Sequence, residues 1–423
     1  MTADSGRSQA TAARRRPKVD LEAILACRPA VDSIAEMTPV FSSRAVSEAC
    51  GGRVVLKAEN LQRTGSFKIR GAAAKLAALG AEARGGIVVA SAGNHGQAAA
   101  FAARAAGVAC EVLMPADASI AKAEAAAAYG ATVRLGGATV DDCLEAAVAL
   151  AASSGRCLVH PFDDADVVSG QGTLGLEIFE QVDDASTVVV PVGGGGLVAG
   201  VAVALAGLSS SVRVVGVQAA ASPGFAESLA ASAPRSVAPS PTLADGIAVK
   251  RPGRVTWPIV SRLVDEVVTV EEEEIASAMV LLLERAKLVV EGAGAVGVAA
   301  LLSGKLAPAR KGTTVVVLSG GNVDTGLLAP VIRRHETLAG RRIVLFARVS
   351  DRPGNLARLL TSIGSTGANL VAVEHLREGY DLHVRETAVH LVLETRDRDH
   401  AGAVLKATRA AGFDVQPVTR PPG

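Results

Sequence analysis

Four short stretches bring together residues whose types and spacing suit chemistry. The first is a run of four glycines, Gly193 to Gly196, between a buried-strand pattern and a helix pattern beginning near Leu197. Glycines let successive backbone N–H groups converge on an anion, and a helix N-terminus adds a positive dipole end. The same run can make a tight turn with no ligand, but its position between strand and helix favours a phosphate cradle. A dinucleotide site needs G-x-G-x-x-G and an acidic residue closing the next strand, which here ends at Gln218 without one. A nucleotide P-loop needs Gly-Lys-Ser/Thr, and Gly196 is followed by Leu197. A smaller phosphate ester remains.

The second stretch is SFKIRG, Ser66 to Gly71. Most lysines are solvated, but Lys68 follows Phe67 and opens a helix whose other face is alanine-rich. An amine in an apolar pocket near a helix start loses basicity and becomes a nucleophile suited to Schiff-base chemistry. The third is SAGNHGQA, where Ser91, Asn94 and His95 collect small polar groups at a helix N-terminus. That arrangement is an ordinary cap or a carboxylate site, with His95 positioning rather than acting as a base. The fourth is LSGGN, in which Ser319 closes a strand and can face a ring nitrogen. Alone, Ser-Gly-Gly is common turn material.

Positioning these groups requires an α/β scaffold. Apolar runs at 53–59, 86–90, 110–114, 132–135, 187–192, 212–218 and 313–318 predict strands. Between them, helices are predicted over 67–78, 96–106, 121–129, 140–152 and about 275–288. Short apolar runs alternating with longer helices indicate βαβ units and parallel sheets. The uncharged stretch 185–212 reads as strand, glycine loop and helix, because Pro191 and four glycines would break a membrane span. Beyond about residue 338 the order becomes βαββαβ, with half-exposed strands at 369–377 and 387–394, a ferredoxin-like unit.

Composition closes several alternatives. In 423 residues, 43 Lys plus Arg against 42 Asp plus Glu leave no field to attract nucleic acid or an anionic membrane. Aromatics at 3% leave few platforms for stacking bases. The five cysteines have no metal-site spacing and read as buried thiols of a reducing cytoplasm. Met1 to Asp20 is polar, contains three consecutive arginines, and reads as a solvated tail.

Taken together, the motifs resemble the fold-type-II pyridoxal-phosphate enzymes, and most closely the threonine ammonia-lyases (threonine/serine dehydratases). The resemblance covers about residues 35–330. It extends to HPFDD with GQGT (His160 to Thr173), PVGGGGL (Pro191 to Leu197), TLADGIAV (Thr242 to Val249), VVEGAGAVGVAAL (Val289 to Leu301) and LSGGNVD (Leu318 to Asp324). It implies a tryptophan-synthase-β-like fold with two parallel-sheet subdomains, the smaller spanning about 60–165, inside a catalytic domain of 21–337. It implies pyridoxal 5'-phosphate held on Lys68, with its phosphate on the backbone of Gly193, Gly194, Gly195, Gly196 and Leu197. Asn94 would meet the ring hydroxyl, Phe67 would pack near the ring, and Ser319 would meet the ring nitrogen. The loop Ser91, Ala92, Gly93, Asn94 and His95 would bind the substrate carboxylate.

The implied reaction is deamination of L-threonine to 2-oxobutanoate, and of L-serine to pyruvate. The C-terminal unit, 338–418, resembles an ACT domain, which implies an amino-acid effector near Asp351, Pro353 and Gly354 and a homo-oligomer, dimer or tetramer. Serine racemases are similar, but they carry a serine where this chain has Ala92, so elimination is favoured over racemisation. Their acidic metal ligand is replaced by Ala219 to Ala221, and no metal is expected. The proline usual after Glu291 is Gly292 here, a change in local stiffness. A silent amino-acid sensor is the competing class, disfavoured by retention of Lys68, Asn94, the glycines and Ser319.

Overall fold

The computed structural model describes residues 18–209, 211–238, 240–377 and 382–418. Residues 1–17 of the expected tail lie outside these. Asp20 already belongs to the fold, since its carboxylate caps the helix Leu21–Asp32 by accepting from the Ala23 N–H at 3.0 Å. By internal contacts the chain divides into two units, Met1–Asp324 and Thr325–Gly423.

The first unit holds two sheets. The larger runs, edge to edge, Val40–Ser42, Val54–Lys57, Thr313–Val317, Ala185–Pro191, Arg213–Ala219 and Glu266–Val270. Every pairing is parallel except that of Val40–Ser42 with Val54–Lys57. The smaller runs Thr132–Leu135, Cys110–Met114, Ile87–Ala90 and Cys157–Leu158, all parallel. Its strands are inserted in sequence between those of the larger sheet. The residues of Ile87–Ala90 and Thr313–Val317 are all buried, as expected of strands covered by helices on both faces.

The helices beside the large sheet approach backbone to backbone. A Cβ on Gly200 would stand 2.4 Å from the Val168 carbonyl oxygen, and one on Gly170 would stand 2.5 Å from that of Arg70. The helix Ala165–Gln181, which no sequence pattern marks, is thereby locked against Lys68–Leu79 and Gly196–Leu208. Intrinsic propensity opposes so many glycines in a helix, and tertiary packing overrides it.

In the second unit the helix Thr325–Leu338 precedes an antiparallel sheet ordered Asn369–Leu376, Glu386–Glu394, Arg342–Ser350 and Asp414–Pro417. Helices Asn355–Gly364 and Arg398–Ala410 complete the βαββαβ order, and Leu345, Leu359, Leu391 and Val404 form its core. The strand Asn369–Leu376 was expected to be half-exposed. Instead it lies at the sheet edge with Leu370, Val371 and Val373 at 39%, 55% and 44% exposure.

Candidate active site

The large sheet brings the ends of two motifs together. Thr313–Val317 pairs with Val54–Lys57, and the chain beyond each strand continues the contact. Ser66 and Gly320 form an isolated antiparallel bridge, and the Phe67 N–H donates to the Ser319 carbonyl at 3.1 Å. Lys68 then opens its helix. Its Nζ donates to the Pro161 carbonyl at 2.9 Å and lies 5.2 Å from the centre of the Phe67 ring. Burial lowers its pKa to about 8, against the opposing pull of Glu291.

Two residues further along, the helix is anchored by a buried ionic network. Arg70 donates to Glu59 at 2.8 Å and to Glu177 at 2.6 Å. Lys57 donates to Glu177 at 2.5 Å and to the Thr38 carbonyl at 2.6 Å. Two cations thus meet two carboxylates with almost no solvent contact, so the start of the Lys68 helix is fixed from below.

The glycine run leaves a sheet strand and enters the helix Gly196–Leu208. A Cβ on Gly194 would lie 2.3 Å from the Phe162 ring, and one on Gly195, at φ +91°, would lie 2.6 Å from Phe225. Side chains are therefore excluded on steric and conformational grounds. Among the described residues, none of the N–H groups from Gly193 to Leu197 has a hydrogen-bond partner. Five free amides at a helix N-terminus make an anion site.

The SAGNHG turn is built similarly at the small sheet. The Ser91 hydroxyl accepts from the Gly93 N–H at 3.0 Å, shaping entry into the helix Asn94–Ala105. The N–H groups of Ala92, Asn94 and His95 have no hydrogen-bond partner among the described residues. His95 Nε2 lies 2.8 Å from the Val159 carbonyl. A carbonyl only accepts, so this nitrogen carries the proton. Burial and nearby Lys68 push the imidazole pKa down to about 3, which leaves a neutral positioning group.

These groups line one cavity of about 440 Å³: Phe67, Lys68, the Ser91–His95 turn, Gly193 to Leu197 and Ser319. Pro161, Phe162, Gln171, Lys122, Asp245 and Glu291 line it too, although the sequence singled out none of them for a role. Gln171 is buried with its Oε1 unpartnered among the described residues. Asn94 Nδ2 donates to Glu291 Oε1 at 2.7 Å. Burial and Asp245 raise the Glu291 pKa to about 7, while the Asn94 hydrogen bond opposes the rise. At the rim, Lys122 pairs with Asp245 at 2.8 Å and Lys250 with Asp141 at 2.6 Å. The LSGGN turn thus joins the site, and the glycine after Glu291 has a steric reason. A Cβ on Gly292 would lie 2.1 Å from the Leu243 carbonyl oxygen.

In the second unit Asp351 is held by Arg377 through two hydrogen bonds of 2.9 and 3.0 Å. Gly354 adopts φ +87° and caps the helix Asn355–Gly364.

A phosphorylated aromatic aldehyde fits the cavity of the first unit. The free amides suit the phosphate, the Lys68 amine is available to condense with the aldehyde, and neutral Ser319 and Asn94 offer hydrogen bonds.

Residues 31–320 match the family model of the pyridoxal-phosphate dependent enzymes. An L-threonine ammonia-lyase of Thermotoga maritima is 43% identical over 399 residues, covering 94% of this chain and 99% of the relative. The crystal structure of the T.th. threonine deaminase superposes with a TM-score of 0.68 at 41% identity, covering 72% of this chain and 99% of that one. Serine racemase from Dictyostelium discoideum gives the same TM-score at 35% identity, covering 72% of this chain and 99% of that one. By the family model over residues 31–320 and by relatives matched along nearly the whole chain, the protein belongs to the fold-type-II pyridoxal-phosphate-dependent enzymes, among the threonine ammonia-lyases.

Proposed function

We propose that this chain deaminates L-threonine to 2-oxobutanoate and ammonia, and L-serine to pyruvate and ammonia. The observation that carries the reading is the Lys68 amine, brought to a pKa of about 8 in the cavity that also contains two sets of free backbone amides. Bound pyridoxal phosphate supplies a ring that delocalises the electron pair left when the substrate loses its Cα proton.

The chain's own residues do the rest. The N–H groups of Gly193 to Leu197 hold the phosphate. Asn94 donates to the ring oxygen, Phe67 packs at the ring, and Ser319 meets the ring nitrogen without giving it a full positive charge. The N–H groups of Ala92, Asn94 and His95 grip the substrate carboxylate. Lys68, as a neutral amine, takes the Cα proton. Position 92 is alanine and offers no hydroxyl to return a proton to the opposite face. That supports elimination over racemisation.

The second unit we read as an ACT-type regulatory domain. Its strand order supports this, and exposed Leu370, Val371 and Val373 support self-association into a dimer or tetramer. An amino-acid effector near Asp351, Pro353 and Gly354 would compete with Arg377 for the Asp351 carboxylate. The reading also places the protein in the cytoplasm. Among the described residues, no helix is long and apolar enough to cross a membrane.

Borohydride reduction followed by peptide mapping tests the lysine, with label expected on Lys68. Steady-state rates with L-threonine, L-serine and D-serine, each with and without isoleucine, test the reaction and its regulation. Release of 2-oxobutanoate from L-threonine is expected. Racemised serine as the main product would favour the alternative reading.

A further inference from the structure

Asn94 is held at both ends of its amide. Its Nδ2 donates to Glu291 Oε1 at 2.7 Å, and its Oδ1 accepts from Asn322 Nδ2 at 2.8 Å. Asn322 Nδ2 also donates to the Thr64 backbone carbonyl at 2.8 Å. The direction of this chain is not free. A backbone carbonyl can only accept, so Asn322 must turn its NH₂ toward Thr64. Its two protons are then spent on Thr64 and on Asn94, which requires the oxygen of Asn94 to face Asn322. The NH₂ of Asn94 consequently faces Glu291. One of its protons goes to Glu291 and one is left over.

Two glycines make room for this relay. A Cβ on Gly65, at φ +71°, would stand 2.2 Å from Asn322 Oδ1. A Cβ on Gly320 would stand 2.3 Å from Glu291 Oε1 and 3.2 Å from Asn94 Nδ2. Space is thus kept for both partners of Asn94 by Gly65, immediately before the SFKIRG stretch, and by Gly320 of the LSGGN turn. Asn94 and Glu291 both line the cavity.

We infer that Asn322 and Glu291 are positioning residues that lock the Asn94 amide with an N–H toward the ring oxygen of pyridoxal phosphate. The inference rests on the reading above that Asn94 faces that oxygen. An N–H there favours the ionised ring oxygen, whereas an inverted amide would present its carbonyl and repel it. The polarity set by Thr64 is thereby transmitted through two side chains to the cofactor.

Asn322→Asp is the inverting variant. A carboxylate can donate to neither Thr64 nor Asn94, and it draws the Asn94 NH₂ toward itself. The measurement is the absorption spectrum of the holoenzyme at fixed pH, where the ratio of the cofactor's two bands reports ionised against neutral ring oxygen. The dissociation constant for pyridoxal phosphate is measured alongside. For Asn322→Asp the band ratio is expected to fall about tenfold, equivalent to about one unit in the ring-oxygen pKa, with weaker cofactor binding. Asn322→Ala deletes the donors without inverting them and should shift the ratio the same way by less. It serves if the aspartate variant does not fold.

Asn94→Ala should shift the ratio by itself, and adding Asn322→Asp to it should produce no further change, because the effect travels through Asn94. A normal ratio in folded Asn322→Asp and Asn322→Ala, beside an altered one in Asn94→Ala, would overturn the relay while leaving the role of Asn94 standing. Full additivity in the double variant would also overturn it. An unaltered ratio in Asn94→Ala would remove the underlying reading, and the relay with it.

Discussion

The backbone N–H of Phe67 is bonded to the carbonyl of Ser319 at 3.1 Å. One main-chain contact therefore ties the residue preceding the reactive lysine to the serine assigned to the ring nitrogen. Chemistry at the amine and electronics at the ring are held in register by the backbone, so Ser319 can be changed without removing the link.

Ser319→Asp should exploit that independence. A carboxylate at the ring nitrogen keeps the nitrogen protonated and prolongs the life of a Cα carbanion. Elimination from L-threonine should slow by on the order of tenfold, about 1.4 kcal/mol, with pyridoxamine phosphate from transamination rising. The ratio of 2-oxobutanoate to pyridoxamine phosphate checks this, and an unchanged ratio would remove Ser319 from the ring nitrogen.

The Lys68 amine makes the cofactor-free protein pH-sensitive. Its pKa is about 8 in the fold against 10.5 for an ordinary lysine. Between these values the unfolded chain binds more protons, so stability rises with pH through that window and is lost as pH falls through about 8. Relative to Lys68→Met, the apo protein should gain about 1–3 kcal/mol between pH 8 and 10.5, the range allowing for water in the cavity. Denaturant titrations of the two apo proteins across this window measure it. Parallel curves would show that the amine is solvated.

The buried network under the Lys68 helix should respond sharply to the loss of one member. Burial alone would raise the Glu59 pKa, but Arg70 and Lys57 hold it below the ordinary carboxylate range. Glu177 partners both cations. Glu177→Ala leaves them short of one carboxylate and should cost about 3–5 kcal/mol in unfolding free energy. A chemical denaturation midpoint close to that of the parent protein would contradict this assignment.

Placing a proline after Glu291 should be harmful here. Gly292 is the first residue of the helix Gly292–Leu302, a position that normally welcomes proline. The Leu243 carbonyl, however, occupies the space of a Cβ. Gly292→Pro and Gly292→Ala should each destabilise by about 1–3 kcal/mol through overpacking, visible as a lower Tm. A Tm equal to or above the parent's would show that the 243 loop gives way freely.

Much of this architecture was legible in the sequence because parallel strands buried on both faces read as short apolar runs. Cys110–Met114 and Thr132–Leu135 end where their patterns end. The helix Ala165–Gln181 was not legible, since buried Ser169, Gly170, Gln171, Gly172 and Thr173 show neither helical period nor propensity. Gly292–Leu302 is buried along almost its whole length and has no polar face to set a period. The same limit applies to the cavity. Lys68, the glycine run and Ser319 stand in local patterns with a chemical meaning. Pro161, Gln171 and Asp245 stand in stretches that carry the resemblance but show no chemical role of their own, and Lys122 reaches the cavity only through the fold.

The two rim pairs run in opposite senses. Lys122 and Asp141 stand on helices flanking the small sheet, and their partners Asp245 and Lys250 lie in the segment between two large-sheet strands. Each sheet side therefore contributes one positive and one negative group, and the entrance has no net monopole. A zwitterionic amino acid would be neither hurried in nor turned away by it, and its capture rate should barely change with ionic strength. Amino acids with an extra side-chain charge of either sign would find no oppositely charged gateway, so any discrimination against them must come from the cavity behind the doorway.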